Sequence, residues 1–221
     1  MTSAEVYRWL TSGGQRAVCE QFDAHVVAAV ISLGLVESGG GAALCEALGL
    51  APEQLRGLVD ALFPHAAVLY EGLDPALRPT LAEDELCLQH LLERSSSERT
   101  PLQLLLASII ARRAQRPNHL WQDLGLRNRR ELSWLMARHF EPLATRNAQE
   151  MKWKKFLYRM ICRDQGFLLC TAPSCSECDD FDGCFGDESG ESLLALTRRE
   201  DEQASQALSA QTQAEDEHAH L

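Results

Sequence analysis

The chain has 221 residues, of which 45% are hydrophobic and 24% are charged, so it is long enough for one domain with a tail or for two small domains. Its 32 acidic and 21 basic residues give a net charge of −11, which argues against a dedicated nucleic-acid-binding protein. The longest apolar run, residues 26–36, is too short to cross a bilayer, and Glu5 stands where a signal peptide needs positive charge. The sequence therefore predicts a cytoplasmic protein without a nucleic-acid or membrane partner.

Apolar residues recur at helical spacing along nearly the whole chain, and no alternating pattern indicates a strand. Prolines suited to a first helical turn and glycines suited to a helix end mark several boundaries, as at Pro52, Pro101, Gly49 and Gly166. The sequence thus predicts an all-α protein, with a compact helical domain, a C-terminal irregular Cys-rich loop and a disordered acidic tail. The predicted helices cover residues 15–36, 42–48, 53–63, 83–94, 102–113, 129–140 and, after a cap at Asn147, 148–163.

Residues 42–59 resemble a helix-turn-helix, because two short helical patterns are joined by a tight connection. The second of these helices offers a single basic side chain, Arg56, to a phosphate backbone. Phosphate contacts supply much of the affinity of DNA-binding proteins. We therefore interpret this segment as two packed helices of the scaffold rather than as a DNA-binding motif.

Charge is segregated along the chain. Residues 1–111 hold 6 basic and 14 acidic side chains, residues 112–163 hold 13 and 4, and residues 164–221 hold 2 and 14. We interpret part of the basic segment as a surface that attracts an anion or docks an acidic partner, with an ordinary solvated helix face as the alternative. We also expect the basic helix to fold over the acidic residues that follow it. The candidate docking residues are Lys152, Lys154, Lys155 and Arg159.

Five of the eight cysteines fall between residues 162 and 184, and a reduced cytoplasmic thiol cluster suggests metal binding before disulfide formation. Four of them have the spacing C-x4-C-x2-C-x5-C, and turn-forming residues between them allow the four thiolates to converge. Thiolates favour zinc, Cu(I) or an iron–sulfur cluster over hard cations. The unequal gaps favour an iron–sulfur cluster, with structural zinc and a disulfide pair as alternatives. The candidate metal ligands are Cys170, Cys175, Cys178 and Cys184.

Three further side chains are possible auxiliary metal ligands. Cys162 lies eight residues before Cys170, at the end of the predicted basic helix, where a buried structural thiol is the alternative interpretation. His119 and His139 offer imidazole nitrogens that could complete a metal site transiently. Single histidines on such helices more often form hydrogen bonds within the fold.

Several motifs in the second half of the chain resemble the NifQ family. They are the basic–aromatic stretch at 151–159, the stretch Gly166–Cys170, the cysteine run ending in Cys184-Phe185-Gly186, and the upstream motifs at 119–125 and 132–136. The resemblance is strong over residues 100–188 and loose before them. It divides the chain into an N-terminal helical scaffold (1–99), a NifQ-like helical core with the cysteine motif (100–188) and an acidic, largely disordered tail (189–221).

The resemblance implies a carrier of a molybdenum–iron–sulfur cluster, with one molybdenum and three irons, or of an iron–sulfur precursor of it. Such a protein donates molybdenum for assembly of the iron–molybdenum cofactor of nitrogenase. The implied partners are the NifEN scaffold and NifH, with molybdate or another molybdenum source for loading. The four family cysteines correspond to Cys170, Cys175, Cys178 and Cys184.

The sequence also favours a carrier over an enzyme. It contains no nucleophile-elbow motif and no phosphate-binding loop, and no paired histidine and carboxylate arrangement is evident. Two other functions stay open at this point. One is a zinc-stapled interaction or regulatory module that uses residues 42–59, and the other is an iron–sulfur electron-transfer protein.

Overall fold

The computed structural model describes residues 2–13, 18–164, 166 and 181–196, together with the short stretches 199–200, 203–204 and 206–207. These residues are mainly helical and include no strand, which confirms the all-α prediction. The predicted cysteine-rich loop and the predicted acidic tail fall largely on residues 167–180 and 208–221, outside the described residues.

The helices of the described part follow one another with short connections. A 3₁₀ helix at Pro64–Leu69 lies between the fourth and fifth α-helices. The α-helices are α1 (Ser3–Thr11), α2 (Val18–Ser38), α3 (Ala42–Leu48), α4 (Pro52–Leu62), α5 (Glu83–Arg94), α6 (Pro101–Ala114), α7 (Leu120–Asp123), α8 (Arg129–His139), α9 (Glu141–Arg146), α10 (Trp153–Asp164) and α11 (Phe181–Phe185).

Helix boundaries follow local signals in the sequence. The side chain of Thr100 accepts a hydrogen bond from the backbone N–H of Gln103 at 3.3 Å, and the Gln103 side chain accepts one from the Thr100 N–H, so a capping box starts α6. Helix α3 ends at Leu48 and is capped by Gly49, whose φ of 67° lies in the left-handed region that favours glycine. The observed bounds of α3 and α5 are those predicted from the sequence.

The helix predicted from residue 148 begins later, at Trp153, so this boundary was wrong. Asn147 instead ends α9, and its side-chain Nδ2 donates a hydrogen bond to the carbonyl oxygen of Met151 at 2.9 Å. Glu150 has a φ of 55°, which a right-handed helix excludes. Residues 147–152 therefore form a connection. The helices α1, α7, α9 and α11 had no predicted counterpart, since segments this short show little periodicity, and α11 lies where an irregular loop was predicted.

One hydrophobic core joins the first and second halves of the chain. Helix α2 is buried on all sides over residues 26–31 and packs against α1 and α3. Helix α5 contacts both α6 and α10, and the buried face of α10 belongs to the same core. Helix α10, which precedes the cysteine motif, is thereby fixed to the body of the protein. Within the described ranges, no helix is both long and apolar enough to span a membrane.

A fully buried arginine links three parts of the fold. The side chain of Arg113 on α6 is 0% exposed, and its guanidinium donates to the two carboxylate oxygens of Glu37 at 2.7 and 2.9 Å. It also donates to the carbonyl oxygen of Asp123 at 2.5 Å. Arg116 reaches the same Glu37 carboxylate at 3.1 Å from a position that is 44% exposed. The end of α2, helix α6 and the end of α7 therefore share one charged contact.

A second ion pair, in which the carboxylate is buried, joins α2 to α8. Asp23 accepts hydrogen bonds from Arg138 at 2.9 and 3.1 Å and lies 2.9 Å from Nε2 of His139. Burial alone would raise the pKa of the Asp23 carboxyl, but these two partners hold that pKa below its ordinary value of 3.8. In the same way, Arg113 outweighs burial and holds the pKa of Glu37 below 4.5.

We expect these ion pairs to make the fold sensitive to acid. A carboxyl whose pKa is lower in the folded state stabilises the fold fully above its unfolded-state pKa, and this contribution is lost as the pH falls through the folded-state pKa. The free energy of unfolding, measured by urea titration, should therefore fall as the pH is lowered from about 5 to about 3. A Glu37→Gln variant should show a smaller fall. An unfolding free energy that does not change over this pH range would contradict the prediction.

Candidate metal centre

Helix α10 leads directly into the cysteine motif. It ends at Asp164, whose carboxylate contacts Arg94 on α5, so this end of the helix is held to the core. Cys170, the first cysteine of the motif, follows six residues later. The apolar side chains of α10 recur on one face, which points its remaining side chains outward. The buried face consists of Trp153, Phe156, Leu157, Met160 and Ile161.

The last cysteine of the motif, Cys184, lies in the short helix α11, which docks on the start of α10. Its carbonyl oxygen accepts a hydrogen bond from the backbone N–H of Lys152 at 2.8 Å. The Nζ atom of Lys152 donates a second hydrogen bond, at 2.9 Å, to the carbonyl oxygen of Asp182. Cys184 and Phe185 are partly buried against the core. The cysteine motif follows the C-terminus of α10 in the sequence, and its last cysteine lies beside the N-terminus of the same helix.

A buried carboxylate fixes the chain again four residues after Cys184. The side chain of Glu188 is 4% exposed, and it contacts the guanidinium of Arg129 on α8. The other carboxylate oxygen of Glu188 lies 3.3 Å from Nδ1 of His119, at the start of α7. Glu188 therefore connects the chain beyond the cysteine motif to two helices of the core.

Two further contacts strengthen this attachment. The side-chain Nε2 of Gln122 donates a hydrogen bond to the carbonyl oxygen of Glu191 at 2.9 Å. Arg129, which holds Glu188, also donates to the carbonyl oxygen of Met151 at 3.2 Å, just before α10. We call residues 181–191 the docked segment, since contacts from three places in the core hold it.

The two candidate histidines have different surroundings. His119 is 32% exposed and lies beside Glu188 of the docked segment. His139 is 5% exposed, and its Nε2 atom lies against Asp23 in the ion pair described above. The Asp23 contact gives His139 a structural role. Of the two histidines, His119 is the one that contacts the docked segment. The auxiliary metal roles of both histidines stay predictions.

The four candidate docking residues also differ from one another. Lys152 binds the docked segment. The Nζ atom of Lys154 lies 2.6 Å from the buried carboxylate of Asp123, so this lysine forms a structural contact between α10 and α7. Lys155 and Arg159 are exposed, and neither side chain forms a hydrogen bond or ion pair within the described part of the chain.

The sulfur ligands are described only in part. Cys162 on α10 and Cys184 carry free thiols and are partly exposed. Cys170, Cys175 and Cys178 lie outside the described residues, so the four-cysteine ligand set stays a prediction. Among the residues that are described, no group of three histidine, cysteine, aspartate or glutamate side chains could hold a metal ion.

Sequence reasoning did not single out the contact between Arg129 and Glu188. The two residues are separated by 59 positions, and no local spacing rule pairs them. Their opposite charges, within the basic segment and the acidic segment, were the one signal that pointed to such a contact. The sequence could predict that the two segments attract each other but not which side chains meet.

Comparison with known proteins shows similarity to the NifQ family. The sequence profile of NifQ matches residues 26–186. The chain is 42% identical over 172 residues to the "Protein NifQ homolog" of Sinorhizobium fredii (strain NBRC 101917 / NGR234), covering 77% of this chain and 75% of that protein. It is 38% identical over 167 residues to "Protein NifQ" of Rhodobacter capsulatus, covering 73% of this chain and 89% of that protein. No solved structure shows a significant match to the chain.

Proposed function

The chain belongs to the NifQ family of nitrogen-fixation proteins, and from that membership we propose that it carries molybdenum for assembly of the iron–molybdenum cofactor of nitrogenase. The cargo is a cluster of one molybdenum and three irons, or an iron–sulfur precursor that accepts molybdenum. The proposed ligands are Cys170, Cys175, Cys178 and Cys184, all within the matched residues 26–186.

The attachment of Cys184 is the observation that carries this proposal. Cys184 belongs to a segment that lies at the surface of the core, where polar contacts hold it and the Cys184 side chain is only partly buried. Such contacts can break locally while the helical core stays folded. A carrier needs this combination, because it must hold a metal centre in place and later open to release it.

Basic side chains hold the docked segment on both sides of Cys184. The ammonium of Lys152 contacts the carbonyl oxygen of Asp182, two residues before Cys184. The guanidinium of Arg129 contacts Glu188, four residues after Cys184. These two contacts also agree with the expectation that the basic part of the chain folds against the acidic part.

We propose a carrier rather than an enzyme, since cysteines that share one metal centre are not available as nucleophiles. Family membership suggests the NifEN scaffold and NifH as the partners for delivery, and molybdate or another molybdenum source for loading. The two competing functions predict different metal contents. A zinc-stapled module requires zinc without sulfide, and an iron–sulfur electron-transfer protein requires a redox-active cluster that takes up no molybdenum.

Metal analysis of anaerobically purified protein tests the proposal. We expect iron and acid-labile sulfide in the isolated protein, and bound molybdenum after incubation with molybdate and a reductant. The Cys178→Ala variant should lose most of this content, because a thiolate ligand is absent. The matched Cys87→Ala variant removes a thiol on α5, outside the motif, and should keep it.

Two results would decide against parts of the proposal. About one zinc per chain, with neither iron nor sulfide, would replace the carrier by a zinc-stapled module. A Cys162→Ser variant with the full content of iron and molybdenum would remove Cys162 as an auxiliary ligand and leave the four-cysteine site intact.

A further inference from the structure

A cavity of about 570 Å³ lies beside the second half of α10. Its walls come from the end of α9, from the connection at 147–151 and from α10 itself. Its polar lining is dominated by arginine, with one residue from the last turn of α9 and two from α10. These are Arg146, Arg159 and Arg163.

The positive charge of this cavity is not neutralised by the part of the chain that is described. All three arginines are exposed, and none of their side chains forms a hydrogen bond or ion pair with another described residue. The acidic residue of the lining, Asp164, forms an ion pair with Arg94. Arg159 and Arg163 are spaced i and i+4 on one helix, so their charges repel unless an anion lies between them. The three arginines belong to the basic segment, residues 112–163, of a chain whose net charge is −11.

The chemistry of the lining indicates the class of ligand. A guanidinium group presents two parallel N–H donors, which match pairs of oxygens on a carboxylate or a tetrahedral oxyanion. Met151 and Phe156 form an apolar part of the wall and are 5% and 6% exposed. An apolar wall lowers the local dielectric constant and strengthens each charged contact. The volume lies within the usual range for small-ligand sites.

We propose that this cavity binds a tetrahedral oxyanion with two negative charges, held by Arg146, Arg159 and Arg163. Resting on the proposed function, the physiological occupant is molybdate, captured before its metal enters the cluster. Cys170 follows the cavity residue Asp164 by six residues, which is at most about 20 Å of extended chain. An oxyanion in the cavity is therefore within a short chain length of the first proposed cluster ligand.

Equilibrium dialysis with labelled molybdate tests the site in the full-length Cys178→Ala protein, so that cluster loading does not contribute. We expect saturable binding of about one molybdate per chain, weakened about tenfold or more by Arg159→Gln and by Arg163→Gln, because each removes a charged hydrogen-bond donor. Sulfate and phosphate, used as competitors, measure how far the site prefers molybdate. The control is Arg130→Gln, which removes an exposed arginine of α8 outside the cavity and should change the affinity less than about twofold.

Equal affinity in the wild-type, Arg159→Gln and Arg163→Gln proteins would overturn the proposal. So would molybdate binding that appears only after Glu177, Asp179 and Asp180 are replaced by amides, since the chain's own acidic residues would then be the occupant. Failure here is distinct from failure of the carrier function. A protein that loads iron and molybdenum but binds no oxyanion in the cavity refutes only this inference, whereas oxyanion binding in a protein that never acquires a cluster refutes only the carrier function.

Discussion

Replacing Arg113 with leucine is expected to lower the free energy of unfolding by about 3–5 kcal/mol. The side chain of Arg113 is 0% exposed and carries hydrogen bonds to both oxygens of Glu37 and to the carbonyl of Asp123. Leucine removes all three hydrogen bonds, leaves Glu37 with the exposed Arg116 as its remaining ion-pair partner, and does not fill the space of the guanidinium. The contacts also span three helices, so their loss loosens the packing of α2, α6 and α7 together.

Urea or thermal unfolding followed by circular dichroism measures this effect. The matched control is Arg116→Leu, which removes an arginine that contacts the same Glu37 carboxylate but is 44% exposed. We expect that control to cost less than about 1 kcal/mol, because solvent-exposed ion pairs contribute little. Similar losses in the two variants would show that burial of the Arg113 contact does not determine its contribution.

Replacing Glu188 with alanine is expected to raise the rate at which the Cys184 thiol reacts with an alkylating reagent by about tenfold or more. The Glu188 carboxylate is 4% exposed and holds the docked segment to Arg129 and His119. Without it, Arg129 loses a charged partner and the segment opens more often. Cys184 is partly buried in the closed arrangement, so each opening increases access to its sulfur.

Peptide mapping by mass spectrometry of the apoprotein gives the rate at Cys184 separately from those of the other cysteines. Asp187→Ala is the control, because it removes a neighbouring acidic residue that is exposed and has no ion-pair partner among the described residues. We expect it to leave the rate near that of the wild-type protein. Equal rates in the Glu188→Ala and Asp187→Ala variants would mean that Glu188 does not hold the segment closed.

The helical class and most helix positions could be predicted because their signals are local. Thr100 and Pro101 identify the start of α6, and Gly49 identifies the end of α3. The start of α10 was predicted too early, because Asn147 is as suitable for ending a helix as for starting one. The positive φ of Glu150, which breaks the helical path, has no signature in the residue type.

The candidate site was less accessible to such reasoning, because its contacts join residues that are distant in the sequence. Charge alone placed Lys154 among the docking residues, but its partner Asp123 lies 31 positions away. The same limit applied to His139, whose partner Asp23 lies 116 positions away. The cysteine spacing indicated a soft-metal site, and the family assignment was confirmed by comparison with whole proteins.

The hydrogen bond between Lys152 and Cys184 has a consequence for chelation. It closes a loop that contains the whole cysteine motif, and because α10 is already helical, the part that has to be closed is the 16 residues between Asp164 and Phe181. Closing a loop of this length costs on the order of 2 kcal/mol in chain entropy. Because the fold has already met this cost, a metal centre that bridges the cysteines does not have to supply it. The effective concentration of the thiolates around the incoming metal is correspondingly higher.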